Sequence, residues 1–468
     1  MMIKKTSKYN IKMILLVCIL LFGLFLRLYA LGVPSFWVDE SISAITAEKI
    51  VQTGVPVFDS GVLDNRAYVF HYLQAFFLLF GSTDFLARFI SVIFGMLTIF
   101  LAYKIGNEYS KVGGLISALF FSVFYLEVFY SGHARMYQMF QFFFFLTLYL
   151  LYKSKENPKY IYFAIASFFI ALDTQIQGLV LAPFLIGHII LYNRKHAWLS
   201  AIPAIPLITK FLSTLGLSSG SGAAAVNYSG KYFSYLSNML YLLILFVPGV
   251  ILGFIKNKRL TILMTVPAII TLLGVFTLRV FAFRYSYFFI FIILLYSALL
   301  FAFLYDKYGK MMLIPLFFVI LIPSNVFYDQ TYVNMLTPVD YQFSDSSSPY
   351  TDYKNIPTEL KEDIRNNTLI SYFSLDVEWY LKKPDYVLPF SMNGIGNDQI
   401  SRNCSVGLCD VYSGALILKE IPNESYYLTA DAFSVSKLDP EQREFLVDLT
   451  KNCSEEYSEV DLKIYYCE

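Results

Sequence analysis

Charged residues are scarce in this chain of 468 residues: Asp, Glu, Lys and Arg make up 15% of it, against about 25% in soluble domains. The 36 Lys and Arg residues nearly balance the 35 Asp and Glu residues, so the net charge is +1. This balance leaves no basic surface to neutralise phosphates, which excludes nucleic-acid binding. Cysteine and tryptophan are also rare, with five and three residues.

Hydrophobic residues make up 57% of the chain and aromatic residues 18%. This composition is that of a polytopic, mainly helical membrane protein. Lys4, Lys5, Lys8 and Lys12 precede the apolar run 13–31. That run is longer than a signal-peptide core and lacks a small-x-small cleavage site, so we expect it to remain as the first transmembrane helix.

Apolar runs long enough to span a bilayer, about 20 residues each, number eleven. They are 13–32, 85–106, 112–131, 136–152, 159–173, 178–193, 197–214, 233–255, 260–280, 284–304 and 311–328. A further apolar stretch, 67–81, is shorter and contains His71 and Gln74. Its length is typical of re-entrant or interfacial helices, and we predict that it does not cross.

The basic residues test this topology. If 67–81 does not cross, five basic turns fall on the side of the basic N-terminus, as the positive-inside rule requires. These turns are marked by Lys104 and Lys111, Lys153 to Lys159, Arg194 and Lys195, Lys256 to Arg259, and Lys307 and Lys310. The N-terminus is therefore predicted to be cytoplasmic, and the tail, residues 329–468, to be extracytoplasmic.

Glycosylation sequons and cysteines support this orientation. The sequons begin at Asn227, Asn366, Asn403, Asn423 and Asn452, all on the predicted outer side. Four cysteines, Cys404, Cys409, Cys453 and Cys467, lie in the tail, where oxidising conditions favour disulfides. Three pairings are compatible with the sequence, and the local pairs Cys404–Cys409 and Cys453–Cys467 are the ones we predict; free buried thiols are the alternative.

The tail differs in composition from the preceding 1–328, which we predict to be the transmembrane domain. A Ser/Asp/Pro linker at 344–349 leads into a region of ordinary charge density. We expect a separate small α/β domain there. Predicted strands cover 368–373, 386–388, 426–429 and 461–466, and predicted helices cover 375–382 and 440–451.

Two adjacent acids, Asp39 and Glu40, follow the first hydrophobic segment, close to Pro34 and Trp37. Ionisable groups at membrane depth are costly and usually line a polar cavity. These acids are therefore the first candidates for catalysis. The alternative is a solvated loop or helix cap beside an interfacial tryptophan.

Further polar residues collect at the predicted outer ends of the helices. Arginines there would hold a lipid phosphate by charge-assisted hydrogen bonds, while a carboxylate accepts the proton of an acceptor. Arg88 snorkelling to the headgroups and His71 as a packing residue are the alternatives. The collected residues are Asn65, Arg66, His71, Arg88, His133, Arg135, Asp173, Gln175, Gln177, Arg279 and Arg284.

Several short motifs resemble those of the GT-C glycosyltransferases, in particular the protein O-mannosyltransferase and aminoarabinose-transferase branch. The resemblance runs from about residue 20 to 300. The motifs are Leu-Arg-Leu at 26–28, Phe-Trp-Val-Asp-Glu at 36–40, Phe-His-Tyr at 70–72, Phe-Gly-Ser-Thr-Asp-Phe-Leu-Ala-Arg at 80–88, Tyr-Ser-Gly-His-Ala-Arg-Met-Tyr at 130–137 and Phe-Arg-Tyr at 283–285.

The resemblance implies transfer of a sugar from a polyprenyl (dolichyl) phosphate to an acceptor hydroxyl of a protein, lipid or glycan, on the outer side and with inversion. It implies Asp39 as catalytic base, aided by Glu40. Substrate-binding positions matched to the family are Arg66, His71, Arg88, His133, Arg135, Tyr137, Arg284 and Tyr285, with Tyr137 standing where relatives often carry an Asp. No metal cage is evident, although Asp39 and Glu40 with water are a candidate site for a divalent cation.

Three other functions remain as alternatives. An oligosaccharyltransferase should carry a Trp-Trp-Asp-Tyr-Gly sequence in its outer domain, and the tryptophans here are the separate Trp37, Trp198 and Trp379. A transporter would be expected to carry charges at the bilayer midplane and paired broken helices. A non-enzymatic surface assembly protein, in which the tail performs the function, is the third class.

Overall fold

The computed structural model describes residues 3–29, 31–216, 230, 239–276, 283–324, 351–372, 374–388, 401–404, 407–410, 412–418, 421–431, 435, 438, 440–459 and 462–468. The protein is mostly helical, with a small sheet in the tail. Its contacts divide the chain into two compact units. The helical unit comprises Met1–Tyr29, Ser91–Gly132 and Met136–Met335, and the mixed unit comprises Ala30–Ile90, His133–Arg135 and Leu336–Glu468.

The described α-helices are numbered in chain order. They are α1 (Ile3–Leu28), α2 (Val38–Thr53), α3 (Tyr68–Leu78), α4 (Asp84–Asn107), α5 (Gly113–Val123), α6 (Tyr125–Ser131), α7 (Tyr137–Lys153), α8 (Tyr160–Thr174), α9 (Leu181–Tyr192), α10 (Ala201–Gly216), α11 (Leu240–Lys256), α12 (Lys258–Phe276), α13 (Ile290–Tyr308), α14 (Leu313–Ser324), α15 (Thr358–Asn366), α16 (Ser374–Tyr380) and α17 (Pro440–Thr450). Short 3₁₀ turns lie at Ile176–Val180, Arg194–Ser200, Phe283–Tyr285, Tyr287–Phe289 and Gly309–Met312.

Within the described residues, four segments are long and apolar enough to cross a membrane: Ile11–Leu28, Asp84–Asn107, Lys258–Phe276 and Tyr287–Phe317. Helices α5 and α6 satisfy the same criteria together but are bent by 63°, as in a broken span or a re-entrant loop. Three shorter apolar helices, Tyr160–Thr174, Ile176–Tyr192 and Leu240–Lys256, accompany them. The chain is a multi-pass membrane protein. The number of eleven spans and the orientation of the ends stay predictions.

A buried arginine supports the bend between α5 and α6. Arg27 donates from Nη1 to the carbonyl of Ser122 at 3.1 Å and from Nη2 to that of Phe121 at 2.9 Å. These carbonyls belong to the last turn of α5, where helical donors are missing. Arg27 Nε donates to Ser131 Oγ in α6 at 3.0 Å. One side chain of α1 therefore satisfies the backbone groups that the break exposes.

Close helix contacts fill the rest of this unit. The rings of Phe145 and Phe291 stack with centroids 4.0 Å apart. At the turn joining α4 to α5, a Cβ on Gly106 would lie 2.6 Å from the carbonyl oxygen of Gly113. Glycine at this position therefore allows the two backbones to meet.

The mixed unit contains one described eight-stranded sheet of order β3-β4-β5-β2-β1-β6-β8-β7. Its strands are β1 (Thr368–Ser371), β2 (Tyr386–Val387), β3 (Ser401–Cys404), β4 (Gly407–Asp410), β5 (Leu416–Ile417), β6 (Tyr426–Asp431), β7 (Cys453–Glu459) and β8 (Leu462–Cys467). Strand β1 is parallel to β2 and β6, while β6–β8 and β7–β8 are antiparallel. Such a mixed sheet is typical of a small α/β layer.

Alternation along the central strands gives the sheet two apolar faces. Leu369 and Tyr427 face a core that also contains residues of α15 and α16. Ile370 and Leu428 face the opposite core, against which Phe445 and Leu446 of α17 pack. Both faces are therefore covered by helices, as the side-chain period of two in a strand allows.

The structure confirms the small sheet and the pair Cys453–Cys467, which joins β7 to β8. Cys409 is also disulfide-bonded. The predicted strands and helices of the tail each overlap an observed element, but the sequence reading omitted α15 and strands β3, β4, β5 and β7. The sequon at Asn227, the linker 344–349, the boundary at 328/329, Arg279 and the side chain of Cys404 lie outside the described residues.

Candidate active site

Both acidic candidates lie in the first turn of α2, whereas the sequence left open a solvated loop or helix cap as the alternative to a catalytic site. Trp37 is the N-cap in an extended conformation, and Gly54 ends the helix with φ of 81°. Glu40 Oε2 accepts the Trp37 N–H at 3.2 Å, so Glu40 acts as the glutamate of a capping box. Two carboxylates at a helix N-terminus also interact favourably with the positive end of the helix dipole.

Glu40 and Arg88 form a closed ion pair in the interior of the mixed unit. Arg88 Nε donates to Glu40 Oε1 at 2.9 Å and Nη2 donates to Oε2 at 3.0 Å. The remaining guanidinium hydrogens bind the carbonyls of Leu31, Pro34 and Ser35 at 2.9, 2.9 and 3.0 Å. Since a guanidinium has five N–H donors, all of them are used within the protein.

The surroundings of Glu40 keep it ionised. Its Oε1 also accepts the Ala134 N–H at 2.7 Å. Burial raises the pKa of Glu40, but the charges of Arg88 and His133 and these hydrogen bonds outweigh burial and lower the pKa. A saturated carboxylate of lowered pKa is a poor proton acceptor. The contacts favour a positioning role, while the predicted catalytic role of Glu40 and substrate-binding role of Arg88 stay predictions.

Asp39 has a more open environment than its neighbour. Its side chain is 20% exposed, whereas that of Glu40 is fully buried. Arg135 donates from Nη1 to the Asp39 carbonyl at 2.8 Å and to Ser43 Oγ at 2.7 Å. Its Nη2 lies 3.9 Å from Asp39 Oδ2. A reachable carboxylate and a fixed guanidinium therefore lie side by side.

A chain of buried polar groups continues behind Arg135. Ser43 Oγ lies 3.4 Å from Nε2 of His71 in α3, and His71 Nδ1 lies 3.8 Å from Asp64 Oδ2. Asp64 also accepts from Thr46 Oγ1 at 3.2 Å. Burial and the charge of Arg135 lower the pKa of His71 to about 4, against the opposing charge of Asp64. His71 is therefore neutral at physiological pH, and its Nε2 contacts the Ser43 hydroxyl.

Helix α16 of the tail packs directly on α2. The Ser41 hydroxyl donates to the Asp376 carboxyl, and the Phe36 N–H donates to the Tyr380 hydroxyl at 2.6 Å. Trp379 Nε1 donates to Asp84 at 2.9 Å. These contacts join α2, the start of α4 and the tail within the mixed unit.

Of the ten predicted site residues, seven belong to the mixed unit and three to the helical unit. Asp39, Glu40, Arg66, His71, Arg88, His133 and Arg135 belong to the mixed unit, whereas Tyr137, Arg284 and Tyr285 belong to the helical unit. Arg66 is exposed, and His133 is buried with its ring edge-on to Trp37, at 6.4 Å between centroids. In the helical unit, the Arg284 guanidinium lies 5.4 Å from the Tyr285 ring centre.

Sequence reasoning missed Ser43, Asp64 and Asp376. Ser43 follows Asp39 by one helical turn, so recognising α2 as a helix would have placed both on one face. Asp64 stands directly before the noted Asn65 and Arg66, whereas Asp376 carries no local signal.

Across the described part of the chain, no group of three or more His, Cys, Asp or Glu residues is arranged to hold a metal ion. Glu40 oxygens already accept four N–H donors, so the candidate cation site predicted for Asp39 and Glu40 would rely on Asp39.

Comparison with known proteins gives three findings. Residues 65–215, about a third of the chain, match the model of the dolichyl-phosphate-mannose-protein mannosyltransferase family. This region contains Arg66, His71, Arg88, His133 and Arg135 but not Asp39 or Glu40. No curated protein sequence matches the chain.

Solved structures resemble it over nearly its whole length. ArnT from Cupriavidus metallidurans in the apo state matches with a TM-score of 0.62 at 10% identity, covering 98% of each chain. ArnT bound to undecaprenyl phosphate matches with a TM-score of 0.62 at 10% identity, covering 96% of this chain and 97% of that one. An Archaeoglobus fulgidus oligosaccharyltransferase tethered to an acceptor peptide matches with a TM-score of 0.52 at 11% identity, covering 97% and 73%. The predicted resemblance is thus confirmed: the chain has the GT-C fold and is similar to the mannosyltransferase and ArnT branch.

Proposed function

We propose that the chain is a membrane glycosyltransferase that moves a sugar from a polyprenyl phosphate to an acceptor hydroxyl on the extracytoplasmic side, with inversion at the anomeric carbon. The observation that carries the proposal is the Asp39–Arg135 pair, in which a partly exposed carboxylate adjoins a guanidinium fixed by two further hydrogen bonds. The likeness to ArnT bound to undecaprenyl phosphate supports the choice of a lipid-phosphate donor.

The proposed reaction divides the chemistry between these two groups. Asp39 accepts the proton of the acceptor hydroxyl while the hydroxyl oxygen forms a bond to the anomeric carbon of the sugar. The bond from that carbon to the phosphate oxygen breaks, and the lipid phosphate leaves with the bonding pair. Arg135 supplies positive charge near the reacting groups, and we assign Arg66 of the same unit to the donor phosphate, as the family motifs imply, while Arg284 stays a predicted substrate-binding residue.

The other buried groups act on the geometry of this pair. The Glu40–Arg88 pair fixes the first turn of α2 against residues 31–35. It therefore holds the backbone of Asp39 in a fixed position. Ser43, His71 and Asp64 hold the far side of Arg135. Preorganisation of this kind reduces the rearrangement needed when the transition state forms.

Transfer by the purified protein in lipid tests the proposal. A panel of radiolabelled polyprenyl-phosphate sugars is incubated with wild-type protein, Asp39→Asn and the exposed control Asp363→Asn, and release of lipid phosphate is scored. A positioned base contributes about 10²- to 10⁴-fold, so Asp39→Asn should lose that much turnover while the control keeps it. Equal turnover in all three proteins would refute the role of Asp39, and no release from any donor would refute the proposed reaction.

A further inference from the structure

One turn of the tail is held in place by its own hydrogen bonds and lies next to the loop that follows α2. In the turn between β4 and β5, Asp410 Oδ2 accepts the N–H groups of Tyr412 and Ser413 at 3.1 and 2.8 Å, and the Ser413 hydroxyl at 2.8 Å. Gly414 completes the turn with φ of 68°. An Asp that caps its own turn in this way holds the backbone N–H groups of Tyr412 and Ser413 in place. Tyr412 therefore has a defined position.

This turn packs on the loop that follows α2. The Ser60 N–H donates to the Tyr412 carbonyl at 3.3 Å, and the Tyr412 ring lies edge-on to Phe58 with centroids 5.3 Å apart. A Cβ on Gly414 would lie 3.1 Å from Ser60 Cα, so the two backbones are in close contact. The ion pair of Lys49 with Asp59, at 2.8 Å, ties the same loop to α2.

The contacts bring Tyr412 to the face of α2 that carries Asp39. Tyr412 packs with Ile42 and Ile45 around Phe58, and Ile42 lies one helical turn after Asp39 on the same side of the helix. Burial raises the pKa of the Tyr412 hydroxyl, while the charge of Arg66 lowers it and those of Asp410, Asp39 and Asp64 raise it. Among the described residues, this hydroxyl has no hydrogen-bond partner, although the charges of Asp39 and Asp64 act on it.

We propose that Tyr412 is a specificity-determining residue that binds the hydroxyl-bearing acceptor next to Asp39, so the tail supplies the acceptor side of the site. This inference rests on the proposed glycosyl transfer. The phenol ring offers an apolar face and its hydroxyl offers a donor and an acceptor, which suits a polar group oriented for attack. Donor binding is assigned to arginines, so Tyr412 should affect the two substrates differently.

The test separates transfer to the acceptor from transfer to water. Full-length protein in lipid receives the radiolabelled donor that supports turnover, either alone, to measure hydrolysis, or with increasing amounts of envelope membranes from the source cells. Tyr412→Phe should lower the ratio of transfer to hydrolysis by about 3- to 10-fold, as expected for one lost hydrogen bond. Tyr412→Ala should lower it by about tenfold or more, since the ring contact is also lost. In both variants, the amount of membranes that gives half-maximal transfer should rise.

The matched control is Tyr162→Phe, an exposed tyrosine of α8, which should leave the ratio unchanged. Tyr412→Phe keeps the ring against Phe58, so it tests the hydroxyl even if Tyr412→Ala does not fold. A ratio that stays at the wild-type value in Tyr412→Phe, or hydrolysis and transfer that fall in parallel, would overturn the assignment. Absence of lipid-phosphate release by the wild-type protein in both arms would instead overturn the proposed function itself.

Discussion

Adjacent residues in one helical turn have opposite environments in this protein. Side chains of consecutive helical residues point about 100° apart, so Asp39 faces Arg135 while Glu40 enters the interior and meets Arg88. The sequence shows two equivalent acids. Telling them apart requires partners 48 and 96 residues away, which no local pattern provides.

Replacing Glu40 should therefore affect folding before chemistry. Glu40→Gln leaves the buried Arg88 without its counter-charge, which costs about 3 to 5 kcal/mol when one partner of a buried pair is removed. We expect the thermal midpoint of the purified protein to fall by about 5 °C or more. The exposed variant Glu362→Gln serves as the control. A Glu40→Gln protein with the wild-type midpoint but no transferase activity would show that Glu40, and not Asp39, is the base.

At the scale of elements, α2 and α16 depend on each other. Helix α2 buries Ser41, Ser43 and Thr46, polar residues that a sequence pattern assigns to an exposed surface. Asp376 of α16 is the partner of Ser41. Burial raises the pKa of Asp376 to about 8, partly opposed by the Ser41 hydrogen bond and reinforced by the charges of Asp431, Glu40 and Asp39.

This raised pKa gives the stability a pH dependence with a definite sign. Between the unfolded pKa of about 3.9 and the folded pKa of about 8, the native state binds more protons than the unfolded chain. Stability from this group is complete below pH 4 or so and is lost as the pH rises through 8. Asp376→Asn, which resembles the protonated carboxyl, should raise the thermal midpoint at pH 8 and change it little at pH 4.

Thermal scans of both proteins across this pH range check the prediction. The exposed Asp363→Asn in α15 should follow the wild-type curve. If Asp376→Asn instead lowers the midpoint at pH 8, the folded protein relies on an ionised Asp376, and the inferred protonation is wrong.

Elements that coincide with an apolar run could be predicted from the sequence. Elements that depend on contacts with distant segments could not. Strands β1 and β6 come from apolar runs, and the predicted positions match them closely. Helix α2 mixes acids, hydroxyls and apolar residues without a single apolar face, so its helical state depends on packing with α3 and α16 and on the ion pair with Arg88 of α4. Among the site residues, Asp39, Glu40 and the arginines were found because they stand out from apolar sequence, whereas Asp64 and Asp376 lie among other polar residues.

For the whole molecule, the distribution of basic residues predicts which side of the membrane each turn and the tail lie on. Cysteine labelling tests this orientation. In a Cys18→Ser background, Lys155→Cys lies in a turn predicted to be cytoplasmic and Asn423→Cys in the tail predicted to be outside. Both positions are exposed within their own units. A membrane-impermeant maleimide applied to intact cells should label Asn423→Cys and leave Lys155→Cys unlabelled until the membrane is opened. The reverse pattern would show that 67–81 crosses the membrane.

The mixed unit is assembled from segments that the ribosome makes far apart in time. Helix α2 ends at Thr53 and α16 begins at Ser374, so roughly 320 residues must follow before the buried face of α2 meets its partner. At about 5 to 20 residues per second, this interval is about 15 to 60 s. Throughout that time Ser41 lacks its hydrogen-bond partner Asp376. Biogenesis of this protein should therefore pass through a waiting state, in which the face of α2 that α16 later covers is without its partner.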